Sequence, residues 1–447
     1  MSHPIQGVPI YFDGSKIGSI QRKFLWLAAI CYVFDQMDLV TFTNVAPVLM
    51  KSWHLTMSQI AQVNSANLWG MFFGAIFGGW LADKIGRKKG LLISVATFSL
   101  ASIFNSFATN LPHLIVSRFV TGFGVVGTVV IAMVYIAEML PSENRGRYQA
   151  LTIACGTIGA PLGTMFAKWV IPLGPETWRF VFILGGGTII FVFLGLFWFK
   201  ESPRWLVSKG RITEAERLVE QITGKKVDLS EGANRKEQRS STLEAIKVML
   251  SKSYIKRTLL LLLMAISITL GGFLLGSFYP AMLQENVGLS ITSVLLIMTI
   301  ANWGVPLGDL TASFFSDKGG RKIPICVFSF ISAGLFLIIG YFPIASIVGF
   351  LMLLRSAFGG GSMSMLYTYL AESYPTHVRS NSVGIVFGVA RIVSANAVLI
   401  VPPVLAAYGW RGAHWLAALV LIIPAISVLI FGEKTSQRTL EDINDVN

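Results

Sequence analysis

Twelve stretches of this 447-residue chain are apolar for long enough to cross a bilayer as helices, which takes about 20 residues. They fall at 24–50, 58–82, 90–109, 112–138, 147–171, 180–199, 258–283, 290–316, 323–342, 345–372, 381–407 and 413–432. Transmembrane β-strands are shorter and alternate polar with apolar residues, and these runs do neither. The expected fold is therefore an all-α membrane protein. Composition agrees: 53% of residues are hydrophobic and 13% charged, whereas soluble domains carry about 25% charged residues. Soluble, disordered, collagen-like and disulfide-scaffold classes are excluded. Cys31, Cys155 and Cys326 each lie inside an apolar run, far apart, so neither a disulfide framework nor a metal site is expected. The polar start up to Lys23, followed by a long apolar run without a small-residue cleavage site, does not read as a cleavable signal.

The net charge of +13 has meaning only once located. Basic residues gather in alternate connections: Lys84, Arg87, Lys88 and Lys89; Arg145 and Arg147; the segment 200–257; Lys318, Arg321 and Lys322; then Arg379. The intervening connections offer little beyond Lys51, Lys168, Arg179 and Arg411. By the positive-inside rule, both termini and the long loop are cytoplasmic. The expected organisation is a cytoplasmic segment 1–23, a six-helix bundle 24–199, a cytoplasmic linker loop 200–257, a second six-helix bundle 258–432 and a cytoplasmic tail 433–447. The charge is then a topology signal, and no nucleic-acid partner is expected.

An internal repeat supports the division. A shift of 234 residues aligns Trp69, Gly70, Gly74, Asp83, Lys84, Gly86, Arg87 and Lys88 with Trp303, Gly304, Gly308, Asp317, Lys318, Gly320, Arg321 and Lys322. The same shift aligns Tyr135, Ala137, Glu138, Pro141 and Arg145 with Tyr369, Ala371, Glu372, Pro375 and Arg379. Two ungapped blocks at one offset indicate a duplicated six-helix unit. Two such halves can rock about a site near the membrane midplane. The long loop, with its Lys/Glu-rich stretch 211–226, is too small for a catalytic domain and reads as linker helices.

The block Gly79–Lys89, with its copy at Asp317–Lys322, resembles the signature of the major facilitator superfamily. Glu138-Met139-Leu140-Pro141 with Arg145-Gly146, and Glu201-Ser202-Pro203-Arg204-Trp205-Leu206, resemble the sugar-porter branch and its organic-acid relatives. That resemblance implies twelve transmembrane helices in two pseudo-symmetric six-helix bundles, and transport by alternating access. Asp83, Arg87, Glu138 and Arg145, with Asp317, Arg321, Glu372 and Arg379, are candidates for a cytoplasmic gate; incidental surface ion pairs are the plainer alternative.

Ionisable residues at membrane depth are costly and mark function by default. Asp35 and Asp38 stand three residues apart in the first span, on one helix face. Two carboxylates this close in a low dielectric resist double ionisation, so the pair can hold a proton. Arg118 opens Arg118-Phe119-Val120-Thr121-Gly122-Phe123-Gly124, similar to the sugar-porter arginine that pairs with a first-helix aspartate; the resemblance makes Asp38 its partner. Asp35, Asp38 and Arg118 are the expected proton-coupling residues. Arg391, in the eleventh span with no acid on its own helix, offers a bidentate fork for a carboxylate and is the expected substrate anchor. Asp309 is its candidate structural partner, on a span interrupted by Gly304, Pro306 and Gly308. Arg355 roughly mirrors Arg118 and reads as structural. Asn67, Trp69, Tyr135, Asn302, Trp303 and Tyr367 are further candidates for the substrate site, with packing as the alternative for the aromatic ones. His54, His113, His377 and His414 lie near helix ends and are not obvious proton relays.

Hexose porters carry glutamines in the fifth and seventh helices; here the seventh has none and Gln149 lies near the cytoplasmic end of the fifth. Phe34-Asp35 with Asp38 instead resembles aromatic-acid and nicotinate symporters, while Gly156–Gly163 partly resembles the glycine/proline motif of proton-coupled exporters. The reading from sequence is a proton-coupled symporter, functional as a monomer, importing a small organic anion across the bacterial inner membrane. Its partners are substrate, protons and the lipid bilayer, with no cofactor. An exporter of drugs or metabolites, a sugar transporter and a non-transporting sensor remain the alternatives. An enzyme is not expected, since no HExxH, GxSxG or P-loop motif occurs.

Overall fold

A computed structural model describes residues 11–229, 242–316, 321–375 and 378–432. Asp317, Lys318, Gly320, His377 and the tail 433–447 lie outside the described residues, as do 1–10 and 230–241 within the expected terminal segment and linker. Among the described residues every regular element is helical. The first half is built from α1 (Ser19–Ser52), α2 (Met57–Ile85), α3 (Arg87–Ser106) and α4 (Leu111–Met139). It continues through a fifth span made of α5 (Ser142–Thr157) and α6 (Gly159–Val170), and a sixth made of α7 (Trp178–Gly186) and α8 (Ile189–Trp198). Short α9 (Pro203–Ser208), amphipathic α10 (Ile212–Thr223) and α11 (Thr242–Met249) lie in the connection. The second half contains α12 (Ile255–Phe273) with α13 (Tyr279–Val287), then α14 (Ile291–Asn302) with α15 (Gly304–Ser316). It ends with α16 (Lys322–Tyr341), α17 (Ala345–Glu372), α18 (Arg379–Ala397) and α19 (Val401–Phe431).

Ten described helical stretches are long and apolar enough to cross a membrane by length and composition alone. The difference from twelve has two causes. The polar residues of α2, among them Gln59, Gln62, Asn64 and Asn67 with Asp83 and Lys84 at its end, lower its mean hydropathy and keep that helix out of the apolar set. The run Asn381–Phe431 counts once, although Gly409 bends it at φ 62° and so divides the eleventh span from the twelfth. A left-handed φ of this kind suits glycine, which has no Cβ to clash. The eighth span breaks at Trp303, immediately before the Gly304–Gly308 segment.

The repeat is visible in the packing. A Cβ on Gly74 of α2 would run into the Phe123 carbonyl of α4; one on Gly308 of α15 would run into the Ala357 carbonyl of α17. Both members of these pairs are 234 residues apart, so the two halves bring backbones together at matching points. Gly156, Gly159 and Gly163 do the same for α1, which lies against them through Tyr32, Val33 and Met37. In this structure the glycine/proline motif is the seam between the first and fifth spans.

The distribution of the core describes a conformation. At the end away from the Lys/Arg-rich loops, one apolar cluster draws on both halves, including Phe42, Trp178 and Phe182 together with Tyr279, Leu283 and Trp410. At the basic end the halves have separate clusters. One holds Phe24, Phe98, Tyr135 and Phe199, with Ala395 its only buried second-half member; the other holds Tyr254, Leu261, Tyr369 and Phe387. Across the division α6 packs on α14, and α2 on α18. The halves are joined at one end and parted at the other, so the space between them opens toward the basic end. The connection forms a small cluster of its own, with Phe12 beneath Trp205, Leu206, Leu218 and Val219.

Candidate functional site

Asp38 and Arg118 meet inside the first half. Arg118 Nη1 donates to Asp38 Oδ2 at 2.8 Å, and both side chains are almost fully buried. The guanidinium also lies over the Phe42 ring at 5.9 Å, while its Nε has no partner. Asp38 Oδ1 lies 3.1 Å from the Ser102 hydroxyl of α3, which is also 2.9 Å from the Phe182 carbonyl of α7. One hydroxyl proton serves two acceptors, so the state of Asp38 bears on the bond between α3 and α7. Gly185 closes this pocket. Gly185→Ala would put a Cβ 2.7 Å from Ser102 Oγ and 3.4 Å from Asp38 Oδ1. Overpacking of this kind typically costs about 1–3 kcal/mol, and a lowered melting temperature in detergent is the expected result; an unchanged one would mean that the pocket has slack.

Asp35 faces elsewhere. Its Oδ2 accepts from Gln36 at 3.3 Å, and its buried Oδ1 has no partner. Asp35 and Asp38 remain within electrostatic range of one another, but Asp35 also feels Arg391 of α18 across the division. Tyr32, one turn before Asp35, feels Asp35, Tyr367, Asp309 and Arg391 together. These five side chains come from α1, α15, α17 and α18, so Tyr32 brings groups of both halves within electrostatic range of one point. Arg391 is half-buried and has no hydrogen-bond or ion-pair partner among the described residues. Asp309, the expected structural partner, engages the Ser364 hydroxyl at 2.5 Å instead. Tyr367 is 43% exposed and stacks on Phe387 with centroids 4.2 Å apart.

The other sequence candidates are spread more widely. Asn302 donates to Thr164 Oγ1 at 2.9 Å, and Asn44 donates to the same oxygen at 3.1 Å, so this hydroxyl ties α14 to α6 and α1 at the closed end. Asn67 is buried on α2, where its backbone carbonyl abuts Gly122 of α4. Trp69 packs against Phe72 and Phe73, Trp303 is 40% exposed at the break in the eighth span, and Tyr135 is wedged between Phe24 and Phe199. Tyr135 is therefore not brought to the space around Arg391. Arg355 donates to the Gly271 carbonyl at 3.4 Å and to Ser356 at 2.9 Å, over the Phe336 ring. His414 is buried at the closed end, between the Tyr279 hydroxyl and the Trp410 carbonyl.

At the basic end the repeated blocks meet in each half. Arg87 grips Glu138 through Nε at 2.9 Å and Nη2 at 3.0 Å, and reaches Asp83 at 2.8 Å. Arg321 reaches Glu372 at 3.1 Å. Arg145 is exposed on α5, and Arg379 is half-buried where α18 begins. Glu201 completes the first cluster: its Oε1 accepts from the backbone N–H groups of Arg87 at 2.7 Å, Lys88 at 3.1 Å and Ser202 at 3.0 Å. A carboxylate at the start of a helix satisfies its orphan donors. Burial pushes this carboxyl above the usual carboxylate range, against those three donors.

Tyr32, Ser102, Thr164, Gly185 and Ser364 have no place among the sequence candidates. Each is a single residue in an apolar or small-residue run, without a repeated partner to draw notice. Glu201 belongs to the Glu201–Leu206 motif, but nothing in that sequence signals its capping role.

The family model described as "Sugar (and other) transporter" matches residues 24–446. A Bacillus subtilis chain named for metabolite transport, YyaJ, is 33% identical over 98% of this chain and 98% of its own length. The niacin transporter NiaP of Acinetobacter baylyi is 30% identical over 96% and 98%, and the 4-hydroxybenzoate transporter PcaK of the same organism 27% identical over 93% of each. Among solved structures, a partially occluded inward-open conformation of the xylose transporter XylE from E. coli superposes with TM-score 0.76, covering 94% of this chain and all of its own at 18% identity. This chain is an integral membrane transporter, not an enzyme, and belongs to the sugar (and other) transporter family of the major facilitator superfamily.

Proposed function

We propose that this chain is a proton-coupled symporter that imports a small organic acid, aromatic or nicotinate-like, across the bacterial inner membrane. The observation that carries this reading is Arg391: a guanidinium without a protein partner among the described residues, facing a space walled by Tyr32, Asp35, Asp309 and Tyr367. A half-buried cation without a protein partner has lost part of its hydration, and a substrate carboxylate supplies the missing partner. The names of the niacin and 4-hydroxybenzoate relatives support an aromatic acid. The positive-inside rule supports both termini and the connection between the halves lying in the cytoplasm; on that assignment the open space faces inward. Asp38 and Arg118 form the proton-responsive pair, and the Arg87–Glu138 and Arg321–Glu372 clusters belong to the gate that meets when the site faces outward.

The test is flux. In proteoliposomes, an inward proton gradient is expected to drive labelled nicotinate or 4-hydroxybenzoate above its equilibrium level, and a protonophore to collapse that gradient-driven excess. Substrate extrusion driven by an inward proton gradient would favour the exporter reading instead. Binding without flux would favour the sensor.

A further inference from the structure

The second half presents its polar and aromatic groups in a definite order. Asp309 of α15 is joined to Ser364 of α17. Ser364 and Tyr367 stand three residues apart on one face of α17, and Phe387 and Arg391 four apart on one face of α18. The Tyr367–Phe387 stack welds these two faces together. The helices are consecutive and antiparallel, so Ser364 lies about 4.5 Å and Arg391 about 6 Å along the membrane normal from that stack, in the same direction. The Asp309–Ser364 pair and Arg391 therefore share a depth, with the aromatic platform on their basic-end side. Ser364 occupies one carboxylate oxygen of Asp309 and leaves Oδ2 without a partner among the described residues.

Charge decides what can fill this space. Arg391 acts on Asp35 across the division, and Asp309 lies within electrostatic range of the same Tyr32 that Arg391 reaches. A plain monoanion gains from Arg391 and offers nothing to the open Oδ2 of Asp309. A ligand that also carries a hydrogen-bond donor at its far end gives that oxygen a partner.

We infer that Asp309, oriented by Ser364, is a specificity residue that accepts a hydrogen bond from the substrate end opposite the Arg391-bound carboxylate. The substrate class is then a flat aromatic acid bearing a ring hydroxyl or ring N–H. This rests on the reading of Arg391 as the carboxylate anchor.

The experiment measures equilibrium binding of benzoate, 3-hydroxybenzoate and 4-hydroxybenzoate to purified protein and to Asp309→Ala, Asp309→Asn and Arg391→Gln. The unsubstituted protein is expected to prefer a hydroxybenzoate over benzoate by about tenfold, the scale of one hydrogen bond to a charged group. Asp309→Ala should erase that preference, and Asp309→Asn, which keeps the volume, should reduce it. Should Asp309→Ala fail to fold, Asp309→Asn carries the decision. Equal loss for all three ligands, or a preference that survives both variants, overturns the inference. Arg391→Gln should weaken all three alike; if it does not, or if none of the three acids binds the unsubstituted protein, the failure lies in the anchor reading.

Discussion

Arg391→Gln is expected to raise the carboxylate concentration for half-maximal uptake by about a hundredfold. A bidentate guanidinium–carboxylate contact supplies two charge-assisted hydrogen bonds, each contributing about 1.5–3 kcal/mol. A net loss of about 2.7 kcal/mol is a hundredfold in affinity. The variant should also fold well, because Arg391 holds no other protein group among the described residues; the change removes a half-buried charge and orphans nothing. Arg391→Lys keeps the charge without the fork and should fall between the two. Nicotinamide is the control, since it presents the same ring without the carboxylate. A loss of equal size for the amide would mean that Arg391 shapes the cavity and does not anchor the acid.

Much of this organisation is legible in the residues. Membrane spans show in sequence because a bilayer demands long apolar runs, and the duplication shows because Gly74 and Gly308 must both admit a neighbouring backbone. The offset shared by Arg87 and Glu138 with Arg321 and Glu372 foretells which residues meet in each half. Helical spacing is a weaker guide. A separation of three residues places Asp35 and Asp38 on one face, yet α1 borders two environments along that face, and the two carboxylates divide between them. Asp38 reaches Arg118 inside the bundle, while Asp35 is within range of Arg391 across the division. Aromatic candidates have no periodicity that separates a cavity wall from packing, which is why Tyr367 and Tyr135 read alike and stand apart in the fold. Which end is open is not a property of any motif. It depends on small free-energy differences between packings of the same sequence.

Asp38→Asn is expected to abolish proton-driven accumulation and its pH dependence while leaving exchange of labelled for unlabelled substrate across the membrane. An asparagine occupies the space of a carboxylic acid without its titrating proton, so the variant is held in the neutral state. Exchange needs only the substrate-loaded protein to move between its two faces; accumulation needs the empty protein to return with its proton released. The neighbours of Asp38 make it suited to this task. Arg118 has no other polar partner among the described residues, and its Nε is already unsatisfied. Neutralising Asp38 therefore leaves a buried guanidinium dependent on rearrangement or on water, a cost that biases the first half toward another packing. Removing Arg118 alone should instead destabilise the protein by about 3–5 kcal/mol, because it strands the carboxylate. The double variant Asp38→Asn with Arg118→Met should recover most of that loss, since both charges are gone together. Thermal melting of the four proteins closes the cycle, and exchange assays on the same samples separate folding from coupling. Accumulation that persists in Asp38→Asn with its pH dependence intact would move the proton to Asp35 or Asp309, the two carboxylates that face the space between the halves.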